Sequence, residues 1–208
     1  MLKVWGRASS SNVQKVMWAV TEMGLPHERI DIGGPFGKNR DKPYLDKNPN
    51  GLVPTIEEDD GFTLWESHSI VRYLAAKHKS SLEPADLKAR ALAQKWMDWQ
   101  LTVMAPAIGP LFMGMVRTPP AERNAKAIDD SKAKTGEATR ILDEQLGKTQ
   151  FLAGDGFSYG DIPVGIMVWR FRELAPERQG GFKNLDRWYA SVSARPGFRQ
   201  HVQAIPLT

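Results

Sequence analysis

At 208 residues the chain can bury one large core or two small ones, and 41% hydrophobic with 25% charged residues excludes disorder as its main state. The formal charge of +4, from 28 Lys/Arg against 24 Asp/Glu with no dense basic run, favours anionic ligands mildly and does not imply nucleic acid. Cysteine is absent, which removes disulfides, thiolate metal sites and every mechanism that uses a protein thiol, thiol–disulfide redox exchange included.

Leu2 to Trp5 reads as a short strand followed by a serine-rich loop. Val13, Val16, Met17 and Val20 then recur at helical spacing until Gly24 and Pro26 stop the helix. Glu28, Ile30 and Ile32 suit a second strand, so strand, helix and strand within about 30 residues predict a parallel crossover. Gly33-Gly34-Pro35-Phe36-Gly37 opens a loop carrying Lys38, Asn39 and Arg40, with at most a short helix near Tyr44 before the turn at Asn48-Pro49-Asn50-Gly51. Val53 to Ile56 predicts a third strand, Glu57 to Gly61 a turn, Phe62 to Trp65 a fourth strand, and Ile70, Val71 and Leu74 one face of a helix from about 67 to 78.

Ser80 to Pro84 reads as a linker, and beyond it the pattern is helical. Leu92, Trp96, Trp99 and Val103 form an apolar stripe, Pro106 and Pro110 should bend or end that helix, and Pro119-Pro120 breaks the chain. Ile128, Ile141, Leu142 and Leu146 mark a long helix ending near Gly147, and Ser158 with Asp161 is close to a capping box before a buried helix through Pro163, Ile166, Met167 and Trp169. Leu185, Trp188, Tyr189 and Val192 form the last clear face, limited by Pro196. The reading is an α/β domain over residues 1–79, a linker over 80–86 and an all-α domain over 87–208. Residues 1–7 lack an export signal, the apolar segments near 101–113 and 162–169 are too short and interrupted to cross a bilayer, and His27, His68, His78 and His201 lack metal-ligand spacing. A soluble cytoplasmic protein with no membrane and no metal is the expectation.

Two places carry chemistry. A cis bond between Val53 and Pro54 would turn the Val53 backbone toward an extended peptide lying along the sheet edge; the bland reading is a proline at a strand entrance. Ser67 at the front of its helix can receive a carboxylate on free N–H groups and its hydroxyl, and also caps the helix, while Glu66 can accept an ammonium, so adjacent residues could hold one end of a small zwitterionic peptide.

Asn50-Gly51-Leu52-Val53-Pro54, Glu66-Ser67 and Ile70-Val71-Arg72-Tyr73-Leu74 resemble the amino-terminal domain of the glutathione transferase superfamily, in particular its serine-type, theta-like bacterial members. Gly6 to Val16 resembles the loop and first helix turn that carry the catalytic serine in that class. The resemblance implies a thioredoxin-like domain of order β-α-β-α-β-β-α followed by a helical domain. Matching Val16 to the apolar position one turn into the helix puts Ser10 on the catalytic hydroxyl, with Ser11 and then Ser9 behind it and Asn12 as a second contributor.

On this resemblance Ser10 donates to the sulfur of glutathione, Lys38, Asn39 or Arg40 reaches the glycyl carboxylate, and Val53 supplies main-chain contacts to the cysteinyl part. Asp161 serves folding rather than chemistry. Met104, Ile108, Phe112 and Met113, with Arg7 or Trp169, either wall a second-substrate pocket between domains or close the helical core. The implied activity is glutathione conjugation to a small hydrophobic electrophile in a homodimer, glutathione being substrate or cosubstrate with no cofactor. Peroxidase, isomerase or dehalogenase chemistry on the same site, or a noncatalytic glutathione-binding protein, are the alternatives.

Overall fold

The computed structural model describes residues 1–178 and 180–208, and its contacts divide them into two compact units. The first comprises Met1–Glu83 with Pro196–Pro206 and the second Pro84–Arg195 with Leu207–Thr208.

In the first unit β1 (Leu2–Trp5), α1 (Ser11–Glu22) and β2 (His27–Ile30) form the expected crossover, with β1 and β2 parallel in the register Leu2 to His27 and Trp5 to Ile30. After the short α2 (Lys42–Leu45), β3 (Thr55–Glu57) lies antiparallel to β1 and β4 (Thr63–Trp65) antiparallel to β3, giving the sheet order β2-β1-β3-β4. α3 (Ser67–Lys77) returns beside α1, and Val4, Val13, Val16, Ile56, Ile70 and Leu74 are fully buried. This is the thioredoxin-like arrangement.

The apolar spacing of α1 makes the helix, and local chemistry ends it. Leu25 N–H donates to Val20 C=O at 3.1 Å and Gly24 N–H to Thr21 C=O at 3.1 Å, the two bonds of a left-handed helix stop. Gly24 supplies the φ of 63° that the stop requires, and Pro26 prevents resumption.

The first unit also contains Pro196–Pro206, a stretch within the 87–208 span that the sequence reading gave to the helical domain. The turn α9 (Pro196–Phe198) and the wide turn Arg199–Gln203 pack on α1, with Phe198 edge-on to Trp18 at 5.1 Å and Thr21 Oγ1 at 2.8 Å from His201 Nε2. Pro196 ends the periodic pattern, but the apolar residues beyond it find their cover about 180 positions back along the chain.

In the second unit α4 (Leu87–Trp99), a π-helical turn Gln100–Met104, α5 (Ala105–Phe112) and another π-helical turn Met113–Arg117 form one continuous helix. Of the bend or stop expected at Pro106 and Pro110, the stop does not occur. Ala105 N–H reaches back to Gln100 C=O just before Pro106, and the Ser131 hydroxyl donates to Ala107 C=O while accepting from Leu111 N–H at 3.0 Å. Ser131 thereby inserts itself where Pro110 disturbs the ladder.

The 31-residue span Leu87–Arg117 is also long and apolar enough, by length and composition, to cross a membrane, contrary to the shorter segments read from the sequence. Here its Met97, Met104, Ile108 and Leu111 are buried as it packs against α6 (Ala125–Leu146) and α7 (Asp161–Leu174). α7 is buried on nearly every side, and α8 (Lys183–Ser193) closes the unit.

Candidate functional site

The chain leaves β1 through Gly6, where an added Cβ would lie 2.4 Å from Val13 and 3.2 Å from Val53. That close approach brings the serine loop beside the Val53-Pro54 step, two places separated by more than 40 residues in sequence. Ser10 then precedes α1 in extended conformation, its carbonyl accepting from Gln14 N–H at 2.8 Å while its hydroxyl makes no capping bond. The hydroxyl and the free N–H groups of the first helical turn therefore share one end of α1.

The Val53-Pro54 bond is cis. Behind it the loop is braced from several directions: Tyr44 Oη donates to Leu52 C=O at 2.6 Å, Asn48 Nδ2 donates to the same carbonyl at 2.8 Å, and Asn39 Nδ2 donates to Gly51 C=O at 2.7 Å. Burial pushes the Tyr44 pKa up, so the phenol stays a donor. The bracing stops at Leu52, and none of these bonds takes the N–H or C=O of Val53. An extended peptide can pair there as an added strand.

Glu66 precedes α3 with φ 73° and ψ 108°, a backbone region that non-glycine residues rarely adopt. This conformation leaves the Glu66 side chain exposed and starts α3 at the buried Ser67. Asn12, Val53, Pro54, Glu66 and Ser67 line a single cleft. It offers an acceptor for an ammonium, a helix terminus for a carboxylate and a strand edge between them.

The loop cations behave differently from one another. Arg40 donates to Asn50 C=O at 3.1 Å, and so, like Asn39, it supports the turn beside the cleft. Lys38 instead lines a separate cavity with Trp5, Ile32, Pro43 and Tyr44. Ser11 is the first residue of α1 and is partly covered, and the Arg7 side chain lies against Gly34.

In the second unit Met104, Ile108 and Trp169 are buried, while Phe112 is half-buried beneath the Arg170 guanidinium at 4.4 Å and Met113 is exposed. Sequence reasoning missed Tyr44, Asn48 and Trp65 at or behind the cleft. The asparagines and Pro49 signal a turn, but nothing local shows that Asn48 is 2% exposed and bonded to both Leu52 and Thr55.

Residues 9–77 match the model of the glutathione S-transferase N-terminal domain, and residues 101–196 match that of the C-terminal domain. The chain is 40% identical over 210 residues to glutathione S-transferase GstB of Escherichia coli strain K12, each covering 100% of the other. The chain belongs to the glutathione S-transferase family. It superimposes with a TM-score of 0.93 on a glutathione-bound theta class enzyme of Xanthomonas axonopodis pv. citri, at 39% identity with 100% and 99% coverage. It also resembles glutathione transferase F7 of Populus trichocarpa, with a TM-score of 0.84 at 28% identity and 98% coverage of each chain. The resemblance read from the serine loop, Val53-Pro54 and Glu66-Ser67 thus extends over the whole chain.

Proposed function

We propose that the protein is a glutathione transferase in which Ser10 holds the glutathione sulfur as a thiolate for attack on a small hydrophobic electrophile. The observation that carries this reading is the single cleft that joins Asn12 at the start of α1 to Val53, Pro54, Glu66 and Ser67. The γ-glutamyl ammonium meets Glu66, and its carboxylate meets Ser67 and the positive end of α3. The cysteinyl backbone pairs with Val53, which directs the sulfur toward the uncapped Ser10 hydroxyl.

A free thiol with a pKa near 8.5 is only a few per cent ionised at neutral pH, and each unit by which it is lowered raises the thiolate fraction about tenfold until ionisation is complete. The Ser10 hydroxyl and the N-terminus of α1 both favour the anion, and the thiol proton leaves to solvent. The thiolate then forms a carbon–sulfur bond as the electrophile's leaving group departs or its ring opens. Lys38 can take the glycyl carboxylate by swinging out of its own cavity, since Asn39 and Arg40 are engaged by the loop. Phe112 and Met113, the accessible members of the apolar set, are the proposed contacts of the electrophile. A cytoplasmic homodimer completes the reading, with support from the family and from the glutathione pool of that compartment.

The test is calorimetric titration with glutathione, followed by turnover with aryl halides, epoxides, isothiocyanates and hydroperoxides. Ser10→Ala should lower kcat/KM by about 10²-fold with little change in glutathione affinity. A folded native protein that does not bind glutathione, or a Ser10→Ala variant whose bound thiol keeps the native pKa, defeats the assignment.

A further inference from the structure

Lys15 is only 1% exposed, yet its Nζ donates to Oδ1 of the exposed Asn12 at 3.1 Å, one helical turn nearer the start of α1. An ammonium carries donors and no acceptor, so it is served by the oxygen of the Asn12 amide and turns the NH₂ end of that amide away from itself. Asn12 lines the same cleft as Val53, Glu66 and Ser67. We infer that Lys15 is a positioning residue that locks the Asn12 amide as a hydrogen-bond donor to the glutathione sulfur. This inference rests on the transferase reading above.

The discrimination follows from hydrogen-bond inventory. A thiol can donate or accept, whereas a thiolate can only accept, and a side chain locked as a donor is worth more to the anion than to the neutral thiol. An asparagine free to rotate would offer its oxygen to the thiol proton as readily as its NH₂ to the thiolate, and the preference would vanish. Lys15 also sets positive charge one turn into α1, in the same sense as the helix terminus. It need not touch the substrate to do either.

The experiment follows the ultraviolet absorbance of the bound thiolate against pH in the native protein, Lys15→Met, Lys15→Arg, Asn12→Ala and the Lys15→Met/Asn12→Ala double variant. The expected result is an apparent thiol pKa raised by about one unit in Lys15→Met and in Asn12→Ala, equivalent to a tenfold lower thiolate fraction near neutrality. The double variant should show no further rise, since both changes remove one device. Lys15→Arg should retain the native value, because a guanidinium also only donates, and kcat should fall more than KM rises in Lys15→Met.

Asn12 is exposed, so Asn12→Ala remains folded and informative even where Lys15→Met unfolds. A native bound-thiol pKa in Asn12→Ala, or additive shifts in the double variant, overturns the inference while leaving the transferase reading intact. Failure of the native protein to bind glutathione overturns both.

Discussion

Asp161 offers the sharpest separation between architecture and chemistry. It is completely buried at the start of α7, where Oδ1 accepts from Leu152 N–H at 3.0 Å and Trp188 Nε1–H at 2.8 Å. Oδ2 accepts from Ser158 N–H at 2.9 Å and the Ser158 hydroxyl at 3.2 Å. Burial pushes its pKa up, and these donors offset part of that cost.

Asp161→Ala strands the Leu152 and Ser158 N–H groups and the Trp188 indole, whereas the Ser158 hydroxyl can rotate to another acceptor. At about 1–3 kcal/mol for each buried unpaired donor, and less than additively, the loss should be about 3–5 kcal/mol. Asp161→Asn keeps one acceptor oxygen and points an NH₂ at the other pair of donors, so about 2–3 kcal/mol is expected. Urea unfolding followed by far-ultraviolet dichroism should show lower midpoints in the order Ala, Asn, native, with unchanged slope. Glutathione affinity of the folded variants should stay within about twofold of native. An alanine variant within about 1 kcal/mol of the native protein, or an asparagine variant equal to it, refutes this account of the carboxylate.

Glu66→Gly should relieve the positive-φ strain and leave stability equal or higher by about 0.5 kcal/mol, while glutathione affinity falls about tenfold; joint loss of both would mean the strain is not stored for binding. Burial, helped by the neighbouring His27 and Arg29, lowers the His201 pKa from 6.5 to about 4. The imidazole is therefore neutral in the fold, and its contribution is fully present above pH 6.5 and declines as the pH falls toward 4, by about 1–2 kcal/mol after allowance for solvent screening; His201→Asn should flatten that part of a Tm-against-pH profile. A Cβ at Gly160 would sit 2.8 Å from the backbone oxygen of Ala93, so Gly160→Ala should cost about 1–3 kcal/mol in urea unfolding, whereas Gly156→Ala, with open space around it, should cost less than about 0.5 kcal/mol.

The first unit was readable because its signals are local. The apolar spacing of α1, the Gly24-Pro26 stop and the alternation around Ile56 and Leu64 each lie within a window of a few residues, and the serine loop and Glu66-Ser67 carry their resemblance in consecutive positions. The helical unit was readable as helices but not in its joints. Pro110 carries a local stop signal that a serine more than 20 residues away cancels, because Ser131 supplies what the disturbed ladder needs.

Periodicity along a chain reports which face of an element avoids water, and composition with short motifs reports which chemistry the loops can support. Those were enough for the order of elements, the family and the presence of Asn12, Val53, Pro54, Glu66 and Ser67 among the residues proposed for one site. They do not report which distant atom fills a vacant hydrogen bond or covers an exposed face. Hence the return of Pro196–Pro206 to α1, the insertion of Ser131 between Ala107 and Leu111 and the meeting of Asp161 with Trp188 emerged from the folded chain. In each case a buried polar atom or an apolar surface is satisfied by whatever folding brings near it, and that partner is chosen by packing in space rather than by neighbours in sequence.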